Sequence, residues 1–243
     1  MDALSLYRAG QLKPAIDALG DELRKQPLDT KRRTFLFELL CFAGEYDRAG
    51  KQLDVLSDAS AETAAGAMLY RSALHAERIR QEMFAEDKLP LGTEHPPSPG
   101  RLNGAEFAEL SDSDPRIGAN LEAFIAGSYT WIPFSYIESI ETETPKRLRD
   151  LLWLPAILHT TSDFRLQDLG EVLLPALAPL SWKSTDDAVR LGRSTVWEAD
   201  AKYGDVPRGQ KSLLYGDEEG PFLEMRKLSF NHTRETAESA TTG

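Results

Sequence analysis

Few residues of this chain are spaced for chemistry. The densest acidic group is Asp112-Ser113-Asp114-Pro115-Arg116. Carboxylates at i and i+2 open a calcium loop, which later oxygens and a distal glutamate complete. Here Arg116 takes the fifth position, and neither the glycine nor the distal glutamate follows in register. The group reads as a polar turn in which Arg116 neutralises Asp114 through a hydrogen-bonded pair. His75, His95, His159 and His232 stand far apart, and no two have metal-ligand spacing. Cys41 lies between Leu40 and Phe42, where apolar surroundings raise a thiol's pKa and block access, so its role is packing. The sequence contains no G-x-S-x-G, Walker A, G-x-G-x-x-G or H-E-x-x-H pattern. These readings predict no catalytic residue, no cofactor and no metal. The enzymatic alternative is a hydrolase with its site around Asp112, Asp114 and His159.

Composition narrows the partners. The 243 residues hold 28 Lys and Arg against 39 Asp and Glu, a net charge of −11. Such a chain repels phosphate backbones, so nucleic acid is not expected as a partner, and basic segments of other proteins are. No apolar run reaches the length of a membrane span, and no signal peptide is evident. The single cysteine excludes an intramolecular disulfide and fits a reducing compartment. The expectation is a cytoplasmic protein.

The elements that must position these residues fall into two halves. Residues 1–86 read as helices. Leu12, Ala15, Ile16, Leu19 and Leu23 form an apolar stripe that Pro27 ends. Thr30 is expected to cap an apolar helix reaching Ala43, and Tyr46, Ala49, Leu53 and Leu56 make the next stripe. A long helix from about Ser60 to Glu86 places Ala61, Ala65, Met68, Ser72, His75, Ile79 and Met83 on one face. Gly10…Ala15…Leu19 recurs as Gly44…Ala49…Leu53, the 34-residue period of the tetratricopeptide unit. Two such repeats bury too little alone and must lean on the rest of the chain. Residues 87–103 are a proline-rich linker. Beyond it the pattern alternates. Strands are expected at Leu121–Ile125, at Tyr129–Trp131 after a Gly127-Ser128 turn, and at Leu151–His159, which Pro155 marks as an edge or bulged strand. Thr195–Tyr203, Lys211–Tyr215 and Phe222–Leu228 follow, the last two joined by a turn at Gly216–Gly220. Short helices are expected near Pro145–Arg149. The fold class is therefore α+β: an all-α tetratricopeptide-like array (1–86), then a mostly antiparallel sheet or partial barrel with short helices (104–230). A polar, disordered tail occupies 231–243.

Longer motifs add a resemblance. The run from Leu36 through Cys41-Phe42-Ala43-Gly44-Glu45-Tyr46-Asp47-Arg48-Ala49 to Gln52-Leu53 resembles the hallmark of the ImpE family, also called TagJ or SciE-type virulence proteins. Asp114-x-Arg116-x-Gly118 with Leu121-Glu122 is similar to the family's acidic turn, and Tyr129-x-Trp131-x-Pro133-Phe134 to its aromatic strand. Leu148 to Ala156 and Gly209-Gln210 complete the series. Ala119 departs from the family's usual proline, and 160–190 follows no family pattern. The resemblance implies an accessory protein of a bacterial type VI secretion system. Such a protein binds the N-terminal helix of the small contractile-sheath subunit and is linked to the AAA+ unfoldase that disassembles the sheath. The competing non-enzymatic reading is a generic tetratricopeptide scaffold of another complex. With Gly10 and Gly44 equivalent, the inner face of the array presents Leu4, Tyr7 and Arg8, then Thr34, Glu38 and Phe42, then Met68, Ser72 and His75. These are the expected partner-binding residues. Phe42 and Met68 alternatively serve as core contacts against the second half.

Overall fold

Five helices open the chain: α1 (Ala3–Arg8), α2 (Leu12–Lys25), α3 (Thr30–Phe42), α4 (Tyr46–Ser57) and α5 (Ala61–Ala85). The structure is a computed structural model and describes residues 1–90, 99–164 and 169–232. Local chemistry sets the helix ends. Asp2 and Ser60 accept from backbone N–H groups of the first turns of α1 and α5. At α3 the cap is Asp29, which accepts from Arg32 N at 2.9 Å. Thr30 is the first helical residue instead of the cap.

The 34-residue repeat is visible bond by bond. Gly10 N donates to Tyr7 O and Gln11 N to Leu6 O; Gly44 N donates to Cys41 O and Glu45 N to Leu40 O. Both glycines have left-handed φ, +76° and +71°, which ends each first helix and reverses the chain into the second. Ala15 and Ala49 are fully buried at the equivalent position, where small side chains let paired helices approach.

Among its described residues the second half holds thirteen strands. They are β1 (Gly100–Leu102), β2 (Ala105–Phe107), β3 (Leu110–Asp112), β4 (Asn120–Ile125), β5 (Ser128–Pro133), β6 (Ile137–Thr142) and β7 (Trp153–Thr160). After these come β8 (Gly170–Pro175), β9 (Val196–Asp200), β10 (Gly204–Arg208), β11 (Ser212–Tyr215), β12 (Glu218–Pro221) and β13 (Lys227–Phe230). Every pairing among the described residues is antiparallel. Eight strands run in the order β2-β1-β13-β6-β7-β8-β4-β5, three as β12-β11-β3, and β9 and β10 form a separate hairpin. Leu110 and Leu213 of the smaller sheet share one apolar core with Ile140, Leu158, Leu174 and Leu228 of the larger.

Several expected boundaries move. The β4–β5 turn is Ala126-Gly127, both at positive φ, because Ile125 pairs with Ser128. β7 is an interior strand despite Pro155; β6 ends at Thr142, paired with Ala156, so Pro155 stands just past that ladder. Thr195–Tyr203 is no single strand: Asp200 accepts from Lys202 N and Tyr203 N and turns the chain into β10. Glu218–Gly220 belong to β12, and Phe222–Glu224 form a 3-10 turn. The short helix expected near Pro145–Arg149 is a 3-10 turn at Leu148–Leu151. Of the 87–103 stretch, 91–98 lie outside the described residues, and Gly100–Leu102 are β1; of the tail, only Asn231 and His232 are described.

The two halves share one core. Phe124, Leu152, Trp153, Leu173 and Leu191 join the apolar cluster of α1–α5. A segment around α6 (Asp187–Arg190) then grips the repeat turns. Asp187 Oδ2 accepts from Leu12 N at 2.8 Å, capping α2, whose own N-cap residue Gln11 gives no side-chain bond. Arg193 donates to Tyr7 O (2.7 Å) and Arg8 O (3.1 Å), and Arg190 to Ala43 O (3.3 Å). An anion thus meets a helix N-terminus and cations meet C-termini, as the helix dipole favours. The Trp182 ring lies on Gly44, where an added Cβ would stand 2.5 Å from it.

Candidate functional site

Where α5 crosses the sheet, charged side chains are buried. Glu77, Arg80 and Gln81 point inward from α5, Glu122 from β4, Asp112 from β3, and Lys211 precedes β11; all are buried. The Arg80 fork donates to Glu122 from Nε (2.7 Å) and Nη2 (2.9 Å), the bidentate geometry that suits guanidinium and carboxylate. Arg80 also donates to Glu77 (3.2 Å) and to Leu177 O (2.9 Å). Lys211 Nζ bridges Glu122 (2.7 Å) and Asp112 (2.6 Å). Tyr129 donates to Glu122 at 2.6 Å and accepts from Trp131 Nε1 at 2.5 Å. Glu77 takes Trp153 Nε1 at 2.9 Å and Gln81 Nε2 at 2.5 Å. Gln81 in turn accepts from Leu180 N (2.8 Å) and Trp182 Nε1 (3.1 Å).

Burial and pairing act against each other on these groups. Burial would raise Glu122, yet Arg80 and Lys211 outweigh it and hold the carboxyl far below its usual range. Burial lifts Asp112 to about 6 against the pull of Lys211, with the Glu122 carboxylate adding to the rise. Burial disfavours a charged Lys211, but its two carboxylates keep the ammonium above its ordinary pKa. Beside the hub a cavity of about 20 Å³ lies among Phe42, Glu77, Arg80, Trp153 and Trp182, room for one water. The arrangement commits its cations to carboxylates and so joins α5 to both sheets.

The sequence-derived residues are dispersed over this frame. Arg116 does pair with Asp114, at 2.8 Å from Nε and 2.6 Å from Nη2. Asp112 and Asp114 are buried, whereas His159 is exposed on β7 of the other sheet, so the three form no common site. Cys41 is buried and its thiol pKa is raised by that burial. Among the described residues no group of three His, Cys, Asp or Glu is placed to hold a metal.

The nine residues expected on the inner, partner-binding face do not share one open face. Phe42 is 1% exposed and packs at the junction with the sheet half. Glu38 is buried, accepts from Arg149 at 2.9 Å, and has its carboxyl raised by burial. Tyr7 sits edge-on to Phe35 and beneath the Arg193 guanidinium, and Thr34 bonds back to Thr30 O. Leu4, Arg8, Met68 (73% exposed) and His75 remain open. Ser72 is approached by Gly127 of the β4–β5 turn.

The face expected for α5 is also the wrong one. Its buried residues are Ala67, Ala73, Leu74, Ala76, Glu77, Arg80, Gln81 and Phe84. Three of these eight are polar, so an apolar template passes over them. The signal was the spacing itself: Glu77, Arg80, Gln81 and Phe84 fall at i, i+3, i+4 and i+7. Lys211, a lone lysine in a strand-like run, carried no such signal.

A helical-hairpin array docked through an ionic hub onto antiparallel sheets defines the architectural class. Glu122, Tyr129 and Trp153 of the hub, with Trp131 beside it, fall within the motifs that carry the family resemblance. The profile of the family described as "ImpE protein" matches residues 104–229. The chain is 32% identical to the type VI secretion system accessory component TagJ of Pseudomonas aeruginosa, over 96% of this chain and 92% of that protein. The chain belongs to the ImpE family. Its fold is shared with the crystal structure of protein VPA1032 from Vibrio parahaemolyticus, with a TM-score of 0.83 at 23% identity, covering 96% of this chain and 98% of that one. No helix among the described residues is long and apolar enough to cross a membrane.

Proposed function

We propose that the chain is a non-catalytic, cytoplasmic accessory adaptor of a bacterial type VI secretion system. Its partner is the N-terminal helix of the small contractile-sheath subunit, and through the sheath it is linked to disassembly by the AAA+ unfoldase. The observation that supports this reading most is the match to TagJ along nearly the whole of both chains. The physical character of the molecule agrees with it: a net charge of −11 suits basic protein segments, and helical repeats are surfaces for peptides. Of the residues expected to meet the partner, Leu4, Arg8, Met68 and His75 keep exposed side chains.

Calorimetric titration of the full-length protein with the small sheath subunit tests the reading. Binding is expected, and a subunit lacking its N-terminal helix is expected not to bind. Absence of binding to the intact subunit, or equal binding of the shortened one, overturns it. Co-purification with the unfoldase is expected only when sheath subunits are present.

A further inference from the structure

A groove of about 590 Å³ runs between α5 and the outer face of β7. Its apolar surface includes Leu69 and Tyr70 of α5 with Pro155 and Ile157 of β7. Leu69 is 51% exposed and Ile157 41%, on two elements from opposite halves of the chain. Register explains the charge around them. Ile157 pairs directly with Glu141 on β6 and with Glu171 on β8, so both carboxylates flank it on the same face of the sheet. Glu143 lies on the same groove. Lys227 bridges Glu141 at 3.0 Å and Lys146 bridges Glu143, while Glu171 forms no ion pair among the described residues. Lys146 and Arg147 also line the groove.

We infer that this groove seats a basic amphipathic helix of a protein partner, its apolar stripe on Leu69, Tyr70 and Ile157 and its Lys or Arg residues beside Glu171 and Glu141. The inference rests on the adaptor reading and gives it a location that the inner face of the repeats does not, since Glu38 and Phe42 there are buried. Charge complementarity selects the occupant: exposed apolar side chains between two carboxylates suit a helix whose apolar residues have basic neighbours.

The test uses full-length protein and two probes, a peptide of the small sheath subunit's N-terminal helix and a designed Leu/Lys amphipathic helix of equal length. Ile157→Glu and Leu69→Glu change exposed positions on separate elements. Each is expected to weaken both peptides at least tenfold with an unchanged melting temperature. Glu171→Lys removes no apolar contact, so it reads the same groove even if an apolar variant melts early; it is expected to weaken binding several-fold and flatten its salt dependence. Wild-type affinity in folded Ile157→Glu and Leu69→Glu overturns the groove and leaves the adaptor reading standing. Groove-dependent binding of the designed helix without binding of the sheath peptide supports the groove and overturns that choice of partner. If neither peptide binds the wild-type protein, the groove is overturned.

Discussion

Replacing Glu122 by glutamine tests the ionic hub at its centre. The side chain keeps its shape but loses its charge, and its carboxylate now accepts four bonds, two from Arg80 and one each from Lys211 and Tyr129. The amide can still accept from Tyr129, but its NH2 must face one of the two cations. Arg80 then keeps Glu77 at 3.2 Å and Leu177 O, and Lys211 keeps Asp112 at 2.6 Å, so neither cation is wholly stranded. Removing one partner of a buried ion pair costs about 3–5 kcal/mol. For a chain of this length that lowers the melting temperature by roughly 6–20 °C. Urea denaturation followed by circular dichroism reads the change, with the slope m unchanged because the same surface is exposed on unfolding. Adding Lys211→Met to Glu122→Gln removes the surplus cation and frees Asp112 to protonate, so the pair is expected to recover on the order of 1 kcal/mol over the single variant. If Glu122→Gln matches the wild type, or the double variant is no more stable than the single, the hub does not hold the halves together as argued.

Three further outcomes follow from the same geometry. Asp112, raised to about 6 when folded against about 3.9 unfolded, contributes stability that is complete below pH ~4 and lost as pH rises through 6. Asp112→Asn should therefore gain about 3 kcal/mol on the wild type between pH 4 and 7, and a pH-independent difference between the two proteins would refute this. Trp153→Ala, at a side chain 1% exposed whose Nε1 holds Glu77, should cost about 3–5 kcal/mol, whereas Trp131→Ala, half-buried on Phe84, should cost roughly half of that, both read by urea denaturation. A fragment ending at Pro90 loses Phe124, Leu152, Trp153, Leu173 and Leu191 from its core and should melt without a cooperative transition; a sharp transition at the full-length temperature would refute the shared core.

The legible parts of this fold are those whose signal is local. The apolar stripes of α2 and α4, the 34-residue repeat and its two turn glycines depend on neighbours in sequence, and the structure reproduces them almost residue by residue; the stripe of α5 does not follow, because its buried face carries charge. The Asp114–Arg116 pair was legible for the same reason, being two residues apart. Strand boundaries moved wherever the turn was decided by pairing, as at Ala126-Gly127, or by a side chain, as at Asp200. Pro155 misled because whether a strand lies at an edge depends on where its neighbour stops, which is not written in the strand. The hub escaped for a different reason. Its bonded members stand as many as 101 residues apart, as Gln81 and Trp182 do, and each has a bland local explanation. Only the crossing of α5 over β4 and β5 brings them together. The stretch 160–190, which follows no family pattern, includes Trp182 and Asp187, which meet the repeat turns through contacts that no periodicity foretells.

An apolar seam alone would join the two halves firmly but not in one register, because aliphatic contacts tolerate sliding far better than directed bonds do. Polar contacts at three points remove that freedom. Arg80 meets both oxygens of Glu122 only when α5 crosses β4 at one height. Asp187, Arg190 and Arg193 meet backbone groups of both repeat turns only when α6 lies across them. Arg149 stacks on Tyr70 at 4.7 Å while donating to Glu38, which fixes α5 and α3 against the turn that leads into β7. The groove between Leu69 and Ile157 is the surface product of that register: one wall belongs to the helices, the other to the sheet, and neither half contains it alone. A binding face assembled in this way has a shape only as definite as the docking beneath it. The buried charges, costly as isolated ions, thereby set the distance between the two walls of the groove.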